Sequence, residues 1–383
     1  MSTRICFVVD SGTDVRLADG LAERSRLRIL ARRMIGGREI SQPHTGSMSV
    51  EIGPSGRLGF VAFAVRRLAA SRHDTDVIIV QGYGPTAVLV NLLGRMIRRP
   101  VLMLVCSPAE AYYRCRTRAG SEKPYRTIEY WMIRLCSRIN ARIGFAYVAL
   151  SPYLATLIRQ QGTVRPVDII PIYGIDRQIF QPSNEPKAML RERLGLPTDL
   201  PIVFFSSRIA PEKDADTLLR AVGLLSERGN PVRLLHLSGS SGELIERAAA
   251  FGVSDRVIAR DAVAPFTELA DYYRASDVCV QASHAEGLGF SPLEALACGV
   301  PVVATDVGGL RDTIRDGQTG WRVPPRDPAA LADAIVSVLN DPVEASRRTS
   351  LGAEEIDRLY ERRFVFDKFI ARLASGTPLS LTQ

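Results

Sequence analysis

The chain has 383 residues, 46% of them apolar and 7% aromatic, which is more than one hydrophobic core usually serves and points to two domains. Its formal charge of +8 is uneven: residues 1–180 hold 26 Lys/Arg against 13 Asp/Glu, whereas the remainder holds 23 against 28, so an anionic partner is expected on the first half. A pI near 9.4 comes with no nucleic-acid-binding motif, which argues against that class of partner. Six scattered cysteines (Cys6, Cys106, Cys115, Cys136, Cys279, Cys298) form no C-x-x-C pair and lack histidines at ligand spacing, the pattern of cytosolic free thiols. The apolar run Ile5–Val9 is too short for a signal-peptide core or a membrane span, so a cytoplasmic protein is expected.

In chain order, β-branched runs at Ile5–Val9, Leu27–Leu30, Val77–Val80, Val101–Val105, Tyr147–Leu150 and Asp168–Ile172 alternate with helical-period segments, which predicts a parallel sheet wrapped by helices. Within this half Arg114, Arg116, Arg118, Lys123 and Arg126 precede a helix bearing Arg134, Arg138 and Arg142, interleaved with Tyr130, Trp131, Ile133 and Leu135. Such a surface suits an anionic membrane interface, and equally a solvated arginine face over a buried stripe. The polar segment Gln181–Pro186 marks a linker, so the domains are expected at 1–180 and 181–352. Strands at Ile202–Ser206, Arg233–Leu237, Arg256–Ile258, Val278–Gln281 and Val302–Thr305 then repeat the scheme, giving two Rossmann-like domains in tandem. Residues 353–373 read as one amphipathic helical stretch whose apolar face (Ile356, Leu359, Tyr360, Phe364, Phe366, Phe369) needs a surface to cover.

The chemistry concentrates at two loops that follow strands. Glu286-Gly-Leu-Gly-Phe-Ser-Pro-Leu-Glu294 places two carboxylates eight residues apart across a glycine turn that opens a helix. Gly287 and Gly289 permit a tight backbone, so the amides of Gly287, Leu288, Gly289 and Phe290 are expected to face a phosphate at a helix N-terminus. Glu294 is expected in the first turn of that helix, and carboxylates suit sugar hydroxyls. Arg208-Ile-Ala-Pro-Glu-Lys213 sets two cations after the first strand of the second half, a pair that suits a diphosphate. Gly308-Gly309 opens a second turn of similar size. Asp74-Thr-Asp76 and Asp214-Ala-Asp216 match a D-x-D metal spacing, but the first precedes a strand at the amino edge and the second suits the cap of the next helix; no metal is expected. His284 falls beside the glycine loop, placed to serve either the backbone or the chemistry.

Together these residues resemble glycosyltransferase family 4, the retaining, nucleotide-sugar-dependent enzymes of the GT-B fold. The likeness runs from about Tyr173 to Leu339. Tyr173-Gly-Ile-Asp-Arg-Gln-Ile-Phe180 is similar to the family's N-G-V-D-x-x-x-F segment, Arg208–Lys213 to its G-R-L-x-x-x-K clamp, and Glu286–Glu294 to its E-x7-E motif. The resemblance implies two Rossmann-like domains facing each other across a cleft, with the last helix crossing back to the first domain. Arg208 and Lys213 would bind the donor diphosphate, Glu286 the sugar hydroxyls, Glu294 the ribose, and the base would rest near Val263. Gly12, Ser107 and Glu110 would lie on the acceptor side. The sequence departs from the family at Ser207, which replaces a glycine, at Val105-Cys106-Ser107, where many relatives place a histidine, and at Ser238-Gly-Ser-Ser-Gly242, which leads with serine.

The implied activity is transfer of a hexose from a nucleoside diphosphate sugar, uridine being the expected nucleotide, to a glycan or lipid-linked acceptor in cell-surface polysaccharide or glycolipid synthesis, with no cofactor beyond that co-substrate. An epimerase or phosphorylase on the same architecture would share the phosphate turns, and a non-catalytic sugar-nucleotide binder would share the whole donor site. The Arg208–Lys213 loop together with Glu286–Glu294 favours the transferase.

Overall fold

A computed structural model describes residues 2–10, 15–33, 47–82, 84–118, 125–237, 241–263 and 266–374. Over these, contacts separate two units: residues up to Tyr113 with 125–174 and 363–374, and residues 114–118 with 175–362. Apart from residues 114–118, the second unit thus runs from Ile175, ahead of the expected linker. The Ile175 N–H donates to Tyr360 O at 2.7 Å, its carbonyl accepts from Arg362 at 3.0 Å, and Phe180 meets the Tyr273 ring edge-on.

The first unit is a seven-stranded parallel sheet of β1 (Arg4–Val9), β2 (Arg26–Arg32), β3 (Met48–Gly53), β4 (Val77–Gln81), β5 (Val101–Val105), β6 (Ala146–Ala149) and β7 (Val167–Ile169), in the order β3-β2-β1-β4-β5-β6-β7. Its central strands are apolar along their whole length because helices cover both faces; every residue of β5 is buried. The order reverses between β1 and β4, the place where doubly wound sheets keep ligands. There Asp10 accepts hydrogen bonds from Arg32 Nε and Thr86 Oγ1, each at 2.7 Å, joining the ends of β1 and β2 to the helix Pro85–Met96.

The second unit repeats the design with β8 (Ile202–Phe205), β9 (Arg233–Leu237), β10 (Val257–Arg260), β11 (Val278–Gln281), β12 (Val302–Thr305) and β13 (Trp321–Val323), all parallel, ordered β10-β9-β8-β11-β12-β13 and reversing between β8 and β11. Its core sets Leu218, Val222 and Leu225 of one helix and Leu331, Ile335 and Val338 of another against Val203, Phe205, Val280 and Val303 of the sheet.

Two edge strands, β3 and β13, lie outside the sequence expectation; β3 is mostly half-exposed and β13 has three residues, so neither shows a long apolar run. The expected strand at Arg256–Ile258 forms later, at Val257–Arg260. The amphipathic stretch 353–373 is two helices, Pro342–Leu359 and Arg362–Ala374, broken where Glu361 bridges to Ile175. The final helix packs on the first unit: Phe366 and Phe369 are fully buried, Arg372 pairs with Asp168, and Phe366 fills the space beside Gly20. Leu359 and Phe364 of the expected apolar face point outward instead, 39% and 50% exposed. Among the described residues no helix is long and apolar enough to cross a membrane.

Candidate active site

The reversal between β8 and β11 brings the two loops together. After β8 the chain runs through Ser206–Arg208 into a 3-10 turn, Pro211–Lys213, that ends on Asp214 in a left-handed conformation. Asp214 caps the helix Ala215–Glu227 by accepting from the Thr217 N–H, and Asp216 pairs with Arg247, so this D-x-D pair is occupied as helix and surface structure. Asp76 is likewise taken up by Arg4. The turn aims Glu212 inward, where it is fully buried. Its Oε1 accepts from Arg208 Nη2 at 2.5 Å and from Arg116 Nη2 at 2.9 Å, and its carbonyl receives the His284 N–H at 2.8 Å. Burial opposes ionisation of Glu212, but the hydrogen bond from Arg116 and the positive charge of Arg208 outweigh it and hold the carboxyl below its ordinary range.

After β11 the chain enters the glycine loop. Glu286 is buried and its Oε2 forms an ion pair with Lys213 Nζ, so the structure joins the carboxylate of one motif to the cation of the other. Its Oε1 accepts the Gly287 N–H at 3.1 Å. Gln281 and Ser283 stand behind this pair, with the Gln281 amide donating to Ser283 Oγ at 2.7 Å. Ser207 donates to Gln281 Oε1 at 3.0 Å, so the serine in place of glycine is tied to β11.

Gly289 has φ +95°, a conformation open to glycine, and acts as the N-cap of the helix Phe290–Ala297. The helix therefore begins at Phe290, and Glu294 lies in its second turn, not the first. There it is buried and its Oε2 accepts from Tyr273 OH at 2.9 Å. Burial, reinforced by the negative Glu294, pushes the Tyr273 phenol well above its usual range, so it remains a donor. The Gly308-Gly309 turn abuts the loop directly: Gly309 N–H donates to Glu286 O at 3.0 Å, and a Cβ on Gly309 would fall 2.1 Å from Gly287 O.

Arg208, Lys213, Glu286 and the backbone of Gly287, Leu288, Gly289 and Phe290 thus share one edge of the second sheet, with Glu294 one helical turn inside. Val263 is half-buried and follows the carboxyl end of β10, two strands from β8 in the same sheet. Ser107 and Glu110 follow β5 in the first unit, where Glu110 opens the helix Ala109–Arg118 and accepts from Tyr130 OH at 3.5 Å. Gly12 and residues 238–240 lie outside the described residues. His284 Nε2 contacts Asp214 Oδ2 at 3.1 Å; burial lowers its pKa, against the pull of Asp214. Sequence reasoning missed Glu212, Arg116 and Tyr273 as parts of this site: Arg116 read as one of many surface cations, and Tyr273 sits in a helix with no motif of its own. Among the described residues no group of His, Cys, Asp and Glu side chains is arranged to hold a metal ion.

Residues 186–355 match the family model for glycosyl transferases group 1. Curated relatives include the D-inositol 3-phosphate glycosyltransferases of Thermobispora bispora, 38% identical over 52% of this chain and 48% of that one, and of Xylanimonas cellulosilytica, 40% identical over the same shares. The chain therefore spans about half the length of the curated relatives it matches. Among solved structures it resembles sucrose-phosphate synthase from Thermosynechococcus elongatus (TM-score 0.78, 23% identity, 98% of this chain and 100% of that one) and Anabaena HepE in complex with UDP and glucose (TM-score 0.78, 20% identity, 97% and 100%). The likeness to these structures shows the GT-B fold.

Proposed function

We propose, on the premise that residues 186–355 belong to the group 1 glycosyl transferases, that the protein is a retaining glycosyltransferase moving a hexose from a nucleoside diphosphate sugar, with UDP as nucleotide, to a glycan or lipid-linked acceptor. The observation that carries this reading is the Lys213–Glu286 ion pair at the β8/β11 reversal, with Arg208 held beside it by Glu212. This supports the reading because two cations that suit a diphosphate stand beside the carboxylate that would hold the sugar.

In this reading Arg208 and Lys213 neutralise charge that grows on the diphosphate as the anomeric C–O bond breaks. Each keeps N–H groups beyond the one its carboxylate uses. Glu286 accepts from sugar hydroxyls and Glu294 from the ribose. The acceptor hydroxyl attacks the face the diphosphate leaves, and its proton passes to the departing phosphate oxygen, so no protein nucleophile is required. The two cations do the work of a divalent ion, and we read the reaction as metal-independent. The excess of positive charge in residues 1–180 supports an anionic acceptor and a peripheral contact with an anionic membrane at the inner face of the cell.

The test is release of UDP from UDP-glucose, with and without EDTA, by the wild type and by Glu286→Ala. Wild-type turnover unaffected by EDTA, lost in the variant, and accompanied by a rise in melting temperature with donor is expected. Equal slow release by both proteins with no thermal shift by any sugar nucleotide overturns the proposal.

A further inference from the structure

At the amino edge of the first sheet is a cavity of about 630 Å³, formed where the helices Pro85–Met96 and Tyr125–Ile143 end beside the start of β5. Its wall carries Arg95, Arg98, Arg99 and Arg165, with Phe145 and Asn91 among the rest, and no Asp or Glu among its described lining residues. Cations do favour helix C-termini, and Arg95 Nε is used on Ile143 O and Arg99 Nε on Arg72 O, at 3.0 and 2.8 Å. One further observation exceeds that role. Arg98 follows the helix cap with φ +55°, a place that glycine fills without strain, yet it holds a guanidinium at the cavity. The adjoining helix presents one stripe of exposed Ile128, Trp131, Met132 and Leu135 that passes into Arg138 and Arg142 toward the cavity.

We propose that this cavity seats the phosphate headgroup of an anionic lipid while the Trp131/Leu135 stripe enters the bilayer interface. Four forked cations suit phosphate oxygens, and the apolar stripe beside them suits acyl chains rather than water. The inference rests on the membrane contact proposed above and gives it a place, at the amino edge of the first sheet.

The test is co-sedimentation of the full chain with phosphatidylcholine vesicles, with and without phosphatidylglycerol. The variants are Arg98→Gly/Arg165→Gln and the charge-preserving Arg98→Lys/Arg165→Lys. The wild type is expected on the anionic vesicles alone, and loss of two arginines to weaken binding roughly thirtyfold. The lysine pair should weaken it also, since a point charge lacks the fork. Arg98→Gly relieves the strained backbone, so melting temperature and UDP-glucose hydrolysis should hold, separating a binding role from a structural one. Wild-type failure to bind either vesicle overturns both the membrane reading and the cavity. Full binding by the lysine pair overturns the cavity alone and leaves diffuse attraction. Displacement by millimolar inorganic phosphate with equal loss from both vesicle types makes the site one for a soluble anion and overturns the lipid assignment.

Discussion

Gly309→Ala isolates the contact between the two glycine turns. The backbone there is ordinary right-handed helix, φ −69° and ψ −11°, so alanine meets no conformational penalty and the effect comes from space alone. The new Cβ would lie 2.1 Å from Gly287 O and 2.9 Å from Leu288 Cα. Ordinary contact begins near 3.4 Å, so the turns must part by about 1.3 Å. Overpacking of this kind costs about 1–3 kcal/mol, and weakening the Gly309 N–H bond to Glu286 O adds about 1 kcal/mol. At about 2–4 °C per kcal/mol for a unit of this size, the melting temperature should fall by roughly 5–15 °C. Glu286 would move with the backbone that bears it, and a displacement of about 1 Å at reacting groups costs about a hundredfold in rate. The assay is kcat/KM for UDP-glucose hydrolysis at a temperature where circular dichroism shows the variant folded. A folded Gly309→Ala protein within threefold of wild type would refute the assignment of these turns to the donor site.

Four other outcomes follow from the same geometry. Glu212→Gln should lower kcat/KM about tenfold while the fold survives, because Arg208 and Arg116 lose the charge that orients them; an unchanged rate would show that Arg208 needs no such support. Tyr273→Phe leaves the ring against Phe204 but removes the hydrogen bond to Glu294, worth about 1–3 kcal/mol at a buried carboxylate, so calorimetry should find UDP binding weakened about tenfold or more. Gly223→Ala, in the interior of the helix Ala215–Glu227 with 3.6 Å of room to Val253, should raise stability by about 0.4–1 kcal/mol in thermal denaturation with no change in rate. Burial lowers the imidazole pKa values of His236 and His284 below 6.5, so the unfolded chain takes up protons first as pH falls. Stability is then full above pH 6.5 and declines below it; a melting temperature that rose from pH 7 to pH 5 would contradict this sign.

The sheets were legible because buried parallel strands are continuous apolar runs bounded by turns; β8, β9, β11 and β12 fall within a residue or so of expectation. Edge strands such as β3 and β13 carry no such run, since one side of each meets water or a loop. At the proposed site, Glu286, Lys213 and Arg208 stand out in the sequence through glycine spacing and their place after strands, and the fold sets them together. Glu212 does not stand out, although it lies between two of them, because a glutamate in a basic loop looks solvated until the fold shows it buried. Its partner Arg116 is 96 residues away, beyond any local pattern. The helical turn holding Glu294 was misplaced because Pro292 marks a first turn without fixing where it starts; Gly289 fixes that through its left-handed backbone.

The charges of this cluster show how buried carboxylates fit the diphosphate site proposed above. Arg116, Arg208 and Lys213 face Glu212 and Glu286, which leaves one net positive charge, to which the N-terminus of the helix Phe290–Ala297 adds about half a charge. Three unpaired cations would attract a diphosphate more strongly, but they would also repel one another and spread into water. Pairing each with a fixed carboxylate trades some attraction for position. Glu212 is rigid because it is fully buried on a 3-10 turn, and Glu286 because its backbone is bonded to Gly309 and its side chain to Gly287. The cations therefore stand oriented before charge develops on a leaving group, which is the condition under which electrostatic stabilisation costs no reorganisation during reaction. It follows that removing either carboxylate should raise affinity for a simple anion such as pyrophosphate while slowing transfer. If Glu212→Gln and Glu286→Ala both bound pyrophosphate more weakly in titration calorimetry, orientation would not be what these carboxylates contribute.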